Sequence, residues 1–359
     1  MSNKSTNSFE GLVCPIPLNH KKFIVIGHGS GGRMTHDLIR DIFQSSFGNP
    51  ILNSFNDFAG VILPDQAKMK GRLCISTDAH IVNPIIFPGG DIGRLAISGT
   101  VNDISMSGGI PLYVTASFII EEGLSFDVLR TIATSMNTAA LEAKVQIVAG
   151  DTKVVEKGKA DKLFISTTGI GWIPEGRQIG GEMAQEGDVV IISGTIGDHG
   201  IAVLAARGEL KFSTTIQSDV APLNQLIQNI LETAPHVHVL RDPTRGGLAT
   251  SLNEIALQSQ VSILLEEDAI PVNPEVRAAC EMLGFDPLYV ANEGKVIIIL
   301  PANEADAALK TLHHHPLGKN AEKIGVVKKE PTKRVLLKTL IGGTRIVDML
   351  AGEMLPRIC

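Results

Sequence analysis

Apolar positions fall into short runs that fit strands and longer stretches with helical spacing. Residues 21–26 form such a run and lead into the glycine loop Gly27-His28-Gly29-Ser30-Gly31-Gly32. Met34, Leu38, Ile39, Ile42 and Phe43 then recur at helical spacing until Gly48-Asn49-Pro50. A strand over 73–77 ends at Asp78, and small and apolar residues predict a helix over 91–107, closed by Gly108-Gly109. Residues 112–120 alternate like a strand, and Ser125 heads a helix carrying Leu129, Ile132, Met136 and Leu141. Strands follow at 145–149, ending in Gly150-Asp151, and at 163–171. Gly, Pro and charge then gather over 174–187, which reads as a linker. Beyond it, buried-type strands are expected at 189–193, 262–265, 296–300 and 323–327, with helices from 201 and after Arg245-Gly246-Gly247. Strands and helices mix throughout, so the class is α/β (α+β) in two domains, 21–173 and 188–341. Residues 1–20 read as a flexible extension, and 342–359, lacking a core face, as a mobile tail.

Composition narrows the function. A chain of 359 residues supports two cores. Lys and Arg number 32 against 38 Asp and Glu, a net charge of −6. That lacks the positive field nucleic acid requires and suits metal–phosphate complexes better. Cys14, Cys74, Cys280 and Cys359 form no C-x-x-C pair, which fits a reduced, cytoplasmic protein. The polar first ten residues lack a signal-peptide core, and no apolar run is long enough to span a membrane.

Several constellations could carry chemistry. Gly27, Gly29 and Gly32 satisfy G-x-G-x-x-G, yet the acid that a dinucleotide site needs about 20 residues on is missing, because the next clear strand ends at Asp78. Phosphate contact of another kind stays open. Every Gly-Lys pair lacks the Ser or Thr of a P-loop. Asp57, Asp78, Asp103 and Asp151 each lie among small residues, the setting hard cations need if water and phosphate oxygens are to complete their shell. A single Asp is as readily a cap or turn; four alike are less easily explained so. Arg245-Gly246-Gly247 at a helix start is either an anion site or a plain capped helix. His313-His314-His315, followed by Pro316, reads as a loop. Cys359 ends the chain but is not in a prenylation box.

Taken together, these motifs resemble the HypE family of hydrogenase maturation factors. The likeness is carried by Gly27-His28-Gly29-Ser30-Gly31-Gly32, Ser76-Thr77-Asp78, Phe87-Pro88-Gly89-Gly90 and Gly99-Thr100-Val101-Asn102-Asp103. It continues through Gly150-Asp151-Thr152-Lys153-Val154-Val155, Asp198-His199-Gly200, Arg245-Gly246-Gly247, Ala291-Asn292-Glu293-Gly294-Lys295 and the terminal Pro356-Arg357-Ile358-Cys359. The aspartate motifs extend to aminoimidazole ribonucleotide synthetase, thiamine-monophosphate kinase and selenophosphate synthetase.

The resemblance implies a two-domain PurM-like fold whose N-terminal domains pair in a homodimer, with ATP and Mg²⁺ near the interface. It implies ATP-dependent dehydration of a carbamoyl group on Cys359 to a thiocyanate, which supplies cyanide to the iron of [NiFe]-hydrogenase. The implied partners are the carbamoyltransferase HypF and the HypC–HypD iron scaffold. Gly29, Gly31, Gly32, Asn102, Thr152 and Arg245 match nucleotide positions; Asp57, Asp78, Asp103 and Asp151 match metal positions. Cys359 carries the substrate, Glu293 is the base, and Lys153 holds phosphate or carbamoyl oxygen. The plainer readings are an ion pair for Lys153 and a turn for Glu293. The rival functions are a kinase or synthetase of a free small molecule, and a non-catalytic docking partner, neither of which needs Cys359 as a carrier.

Overall fold

The computed structural model describes residues 22–30, 33–54, 59, 61–63, 70–208 and 215–350. Its N-terminal half is built on a four-stranded sheet of β1 (Gly71–His80), β2 (Ile110–Glu121), β3 (Gln146–Val155) and β4 (Leu163–Pro174), in the order β1-β4-β2-β3. Only β2 and β3 are parallel. Helices α1 (Ile92–Met106) and α2 (Phe126–Ala143) cover one face. Asp91 caps α1 by accepting from the N–H groups of Gly93 and Arg94, and Ser125 caps α2 through Asp127. Alternation along β1 turns Cys74, Ser76, Asp78 and His80 toward α1 and leaves Leu73, Ile75, Thr77 and Ala79 on the opposite face. That opposite face is open: Ile75 is 68% exposed, Leu73 46% and Ile119 42%.

The C-terminal half holds a seven-stranded sheet. Its strands are β5 (Val189–Ile192), β6 (Val239–Arg241), β7 (Ser262–Glu266), β8 (Ile297–Leu300), β9 (Glu322–Lys328), β10 (Arg334–Lys338) and β11 (Thr344–Val347). They lie in the order β11-β10-β7-β9-β5-β8-β6. The helices are α3 (Asp198–Ala206), α4 (Asn224–Thr233), α5 (Gly247–Ser259), α6 (Pro274–Leu283) and α7 (Ala305–His314). Both faces of the sheet are covered. Val190, Ile192, Ile297 and Ile299 pack with α5, whereas Val189, Ile191, Ile298 and Leu300 pack with α4 and α7. Burial on both faces is why these strands read as unbroken apolar runs.

Four expectations need correction. Residues 22–29 form no ladder: Phe23 makes an isolated bridge to Ser125, and Ile26–Gly29 is a 3₁₀ turn, because the glycines of the loop follow too closely. Asp78 and Asp151 lie within their strands, since pairing of β1 with β4 and β3 with β2 continues past them. His313 and His314 close α7, where helical spacing from Ala305 outweighs Pro316, and His313 Nε2 lies 2.9 Å from the carbonyl of Ala321. The expected tail keeps one core residue: β11 pairs with β10, and Val347 is fully buried.

A carboxyl-lined candidate active site

Four acids from separate elements meet at a cavity of about 140 Å³ between the two sheets. Asp78 comes from β1 and Asp103 from α1; Asp242 follows β6, and Glu293 lies in the loop before β8. Asp103 Oδ2 accepts from Ser76 Oγ at 2.6 Å, and Asp78 Oδ1 from the N–H of Ala79 at 2.7 Å. His80 Nε2 sits 3.7 Å from Asp78 Oδ2 and 3.2 Å from Thr167 Oγ1. Gly99 makes this approach possible, because a Cβ there would meet His80 at 2.9 Å. Arg245 stands exposed at the rim.

Burial and mutual repulsion raise the carboxyls of Asp103, Asp242 and Glu293 above the usual carboxylate range. Burial raises the Asp103 carboxyl against the bond from Ser76, and Asp78 adds to the rise. Burial and the Asp103 charge take Asp242 to about 7. Glu293, 5% exposed, is raised well above its ordinary value by burial, then by Asp242 and Asp219. Burial lowers His80 despite Asp78, so its imidazole is neutral. Such a set suits a divalent cation, whose charge would relieve the repulsion. Among the described residues no three His, Cys, Asp or Glu side chains are disposed to hold a metal by themselves, so phosphate or water oxygens would complete its shell.

The other sequence candidates lie elsewhere in the chain. Asp151 pairs in register with Ser117, Ser117 with Ser166, and Ser166 with Ala79, which puts Asp151 in a row on the open face. Asp78 points to the covered face. Three strand spacings separate β1 from β3, about 14 Å. Lys153 Nζ pairs with Asp151 Oδ2 at 3.4 Å, both side chains being exposed. Thr152 is buried beside them. It shares the wall of a cavity of about 430 Å³ with Phe43, Phe47 and Ile147. Gly29 lies against β3 so closely that a Cβ would meet the Val154 nitrogen at 2.6 Å, which brings the glycine loop to Lys153. Gly31, Gly32, Asp57 and Cys359 lie outside the described residues.

Asn102, expected to meet the nucleotide, instead contacts backbone groups of the C-terminal half. It is 2% exposed, its Nδ2 donates to Ala221 O at 3.1 Å and Glu293 O at 3.4 Å, and its Oδ1 accepts from Leu223 N at 2.8 Å. Its amide is spent on joining α1 to the loop that carries Glu293. Asp242 was missed because Asp-Pro before a helix reads as a turn; the signal was an acid between two arginines at the end of a strand.

A family model for the C-terminal domain of AIR synthase related proteins matches residues 185–338, and one for the N-terminal domain matches 56–173. Carbamoyl dehydratase HypE of Cupriavidus necator is 52% identical over 344 residues, which cover 96% of this chain and 97% of that protein. The chain belongs to the HypE family. A crystal structure of hydrogenase maturation protein HypE in complex with ATP superposes with a TM-score of 0.88 at 49% identity, covering 93% of this chain and 99% of that one. A HypE–HypF complex matches with a TM-score of 0.76 at 48% identity, over 87% of this chain and 99% of the HypE chain. The two-domain α/β architecture is therefore that of HypE and of the AIR synthase related proteins.

Proposed function

We infer that this protein is an ATP-dependent carbamoyl dehydratase that converts a thiocarboxamide on Cys359 into a thiocyanate, the cyanide source for [NiFe]-hydrogenase. The observation that carries this reading is Glu293: a buried carboxyl at the acid-lined cavity with a raised pKa, a base suited to a weakly acidic N–H. Hydroxide leaves a thiocarboxamide slowly, so the oxygen first takes the γ-phosphoryl group of ATP. Glu293 then removes a proton from nitrogen, the C–O bond breaks to phosphate, and S–C≡N remains on Cys359. Both N–H protons are lost, and ADP and phosphate are the other products. Lys153 holds the phosphoryl or carbamoyl oxygen. Mg²⁺ on Asp78, Asp103 and Asp151, with Asp57 as a further donor, would neutralise charge on the transferred phosphoryl group. Thr152, Arg245 and the glycine loop at Gly29, Gly31 and Gly32 take the nucleotide.

The open sheet face is the homodimer surface, which places Asp151 and Lys153 at the interface. HypF loads Cys359, as the HypE–HypF complex of a relative supports, and the HypC–HypD scaffold accepts the cyanide. The compartment is the cytoplasm, where the carrier thiol stays reduced; among the described residues no helix is long and apolar enough to cross a membrane.

The test is the intact mass after incubation with HypF, carbamoyl phosphate and MgATP. Carbamoylation adds about 43 Da and dehydration leaves about 25 Da, so native protein should end at the lower figure and Glu293→Gln at the higher. Cys359→Ala should show neither. ATP turnover without any mass change would instead indicate a small-molecule kinase.

A further inference from the structure

Asp198-His199-Gly200 and Lys295 belong to motifs that the chemistry above does not use, and they converge behind Glu293. Lys295 Nζ lies 2.9 Å from Asp219 Oδ2 and 3.8 Å from Asp198 Oδ2. The Lys295 and Asp219 side chains are 11% and 4% exposed. The other oxygen of Asp219 accepts the backbone N–H of Glu293 at 3.1 Å. The Glu293 carbonyl is held from the other side by Asn102 Nδ2, and Ala221 N lies 3.5 Å from it. Gly294 leaves no slack, since a Cβ there would sit 1.8 Å from the Asp219 carbonyl. One residue earlier, Asn292 Nδ2 donates to Pro243 O at 2.9 Å, which ties the loop to the segment bearing Asp242.

We propose that Asp219 is a positioning residue for Glu293, holding its backbone N–H through one carboxylate oxygen while Lys295 neutralises and orients the other. The inference rests on Glu293 being the base. The geometry explains why a buried ion pair stands where apolar residues would pack as well. An apolar pair leaves the Glu293 N–H without an acceptor and the loop free to shift. Asp219 keeps its charge because Lys295 and His199 outweigh the burial that opposes it.

Two charge-free variants isolate the effect, Asp219→Asn/Lys295→Met and Asp219→Leu/Lys295→Met. They differ in shape by little, and only the first retains an acceptor for the Glu293 N–H. The full-length protein is carbamoylated by the transferase, and the single-turnover rate constant is read at saturating ATP alongside the half-saturating ATP concentration. The Leu/Met variant should react at least about tenfold more slowly than the Asn/Met variant, with half-saturation alike within about threefold. A merely structural pair would change the melting temperature and leave both rate constants equal; equal rates overturn the proposal. So does a difference confined to half-saturation. Glu293→Gln runs alongside: if it keeps the native rate, the base assignment fails and the proposal with it. If Glu293→Gln is dead while the two doubles agree, only the positioning role is overturned.

Discussion

Asp242 precedes Pro243 at the end of β6, where burial and the Asp103 charge raise its pKa from 3.8 to about 7. For an acid raised on folding, the folded state holds more protons than the unfolded chain between those two values. Stability is therefore greatest below about pH 4 as far as this group is concerned, and falls as pH rises toward 7. Asp242→Asn cannot ionise and should lack that loss. Without divalent cations, the native protein should lose on the order of 2–4 kcal/mol relative to Asp242→Asn between pH 4.5 and 8. Urea melts at the two pH values check this; parallel melts would show that Asp242 is not held protonated. The same residue marks a limit of sequence reading. Its charge is visible, but its burial against Asp103 arises only when β6 and α1 meet. Asn102 shows the converse: polar residues in a ligand-like motif can be consumed by backbone groups from the other half of the chain.

At the scale of elements, α1 sets the distance between Asp78 and Asp103, and glycines in β4 seat it. A Cβ on Gly171 would lie 2.4 Å from Ile104 Cγ2, 2.9 Å from Cys74 Sγ and 3.0 Å from the Ile110 carbonyl. Gly171→Ala should push α1 outward at Ile104, next to Asp103, and destabilise the fold by about 1–3 kcal/mol. An unchanged denaturation midpoint would mean that the helix does not need this close seat. Strands such as β5 and β8 were legible because burial on two faces leaves a continuous apolar run, and α1 and α2 because Asp91 and Ser125 announce their starts. The edge strands β6 and β11 and the adjoining β10 escaped notice. The partners of β6 and β10 come from far along the chain, and charge at the two ends of β10, Arg334 and Lys338, resembles a surface loop. The neighbouring glycines gave away the turn at Gly27 but hid that no ladder precedes it.

For the whole molecule, the decisive feature is that candidate ligands occupy opposite faces of one thin sheet. Asp78 and Asp103 face inward, Asp151 and Lys153 outward on the face that also carries Ile75 and Ile119. One metal–nucleotide complex touches both sets if a second copy closes over the open face. Ile75→Asp should then give a monomer by light scattering with ATP affinity reduced at least about tenfold, because charge placed on this exposed apolar face would oppose the proposed association. A persistent dimer would move the interface elsewhere. Mixing separates a shared site from a merely adjacent one. Asp78→Asn and Asp151→Asn proteins, each inactive alone, should recover about a quarter of native dehydration when refolded together in equal amounts, since half the dimers are mixed and each carries one intact site. No recovery, with mixed dimers demonstrated by mass, would place every ligand of a site within one chain and require the sheet edge or the glycine loop to move. Recovery would show that the acids split between two faces are reunited by pairing, and that the apolar residues between them are exposed for that purpose.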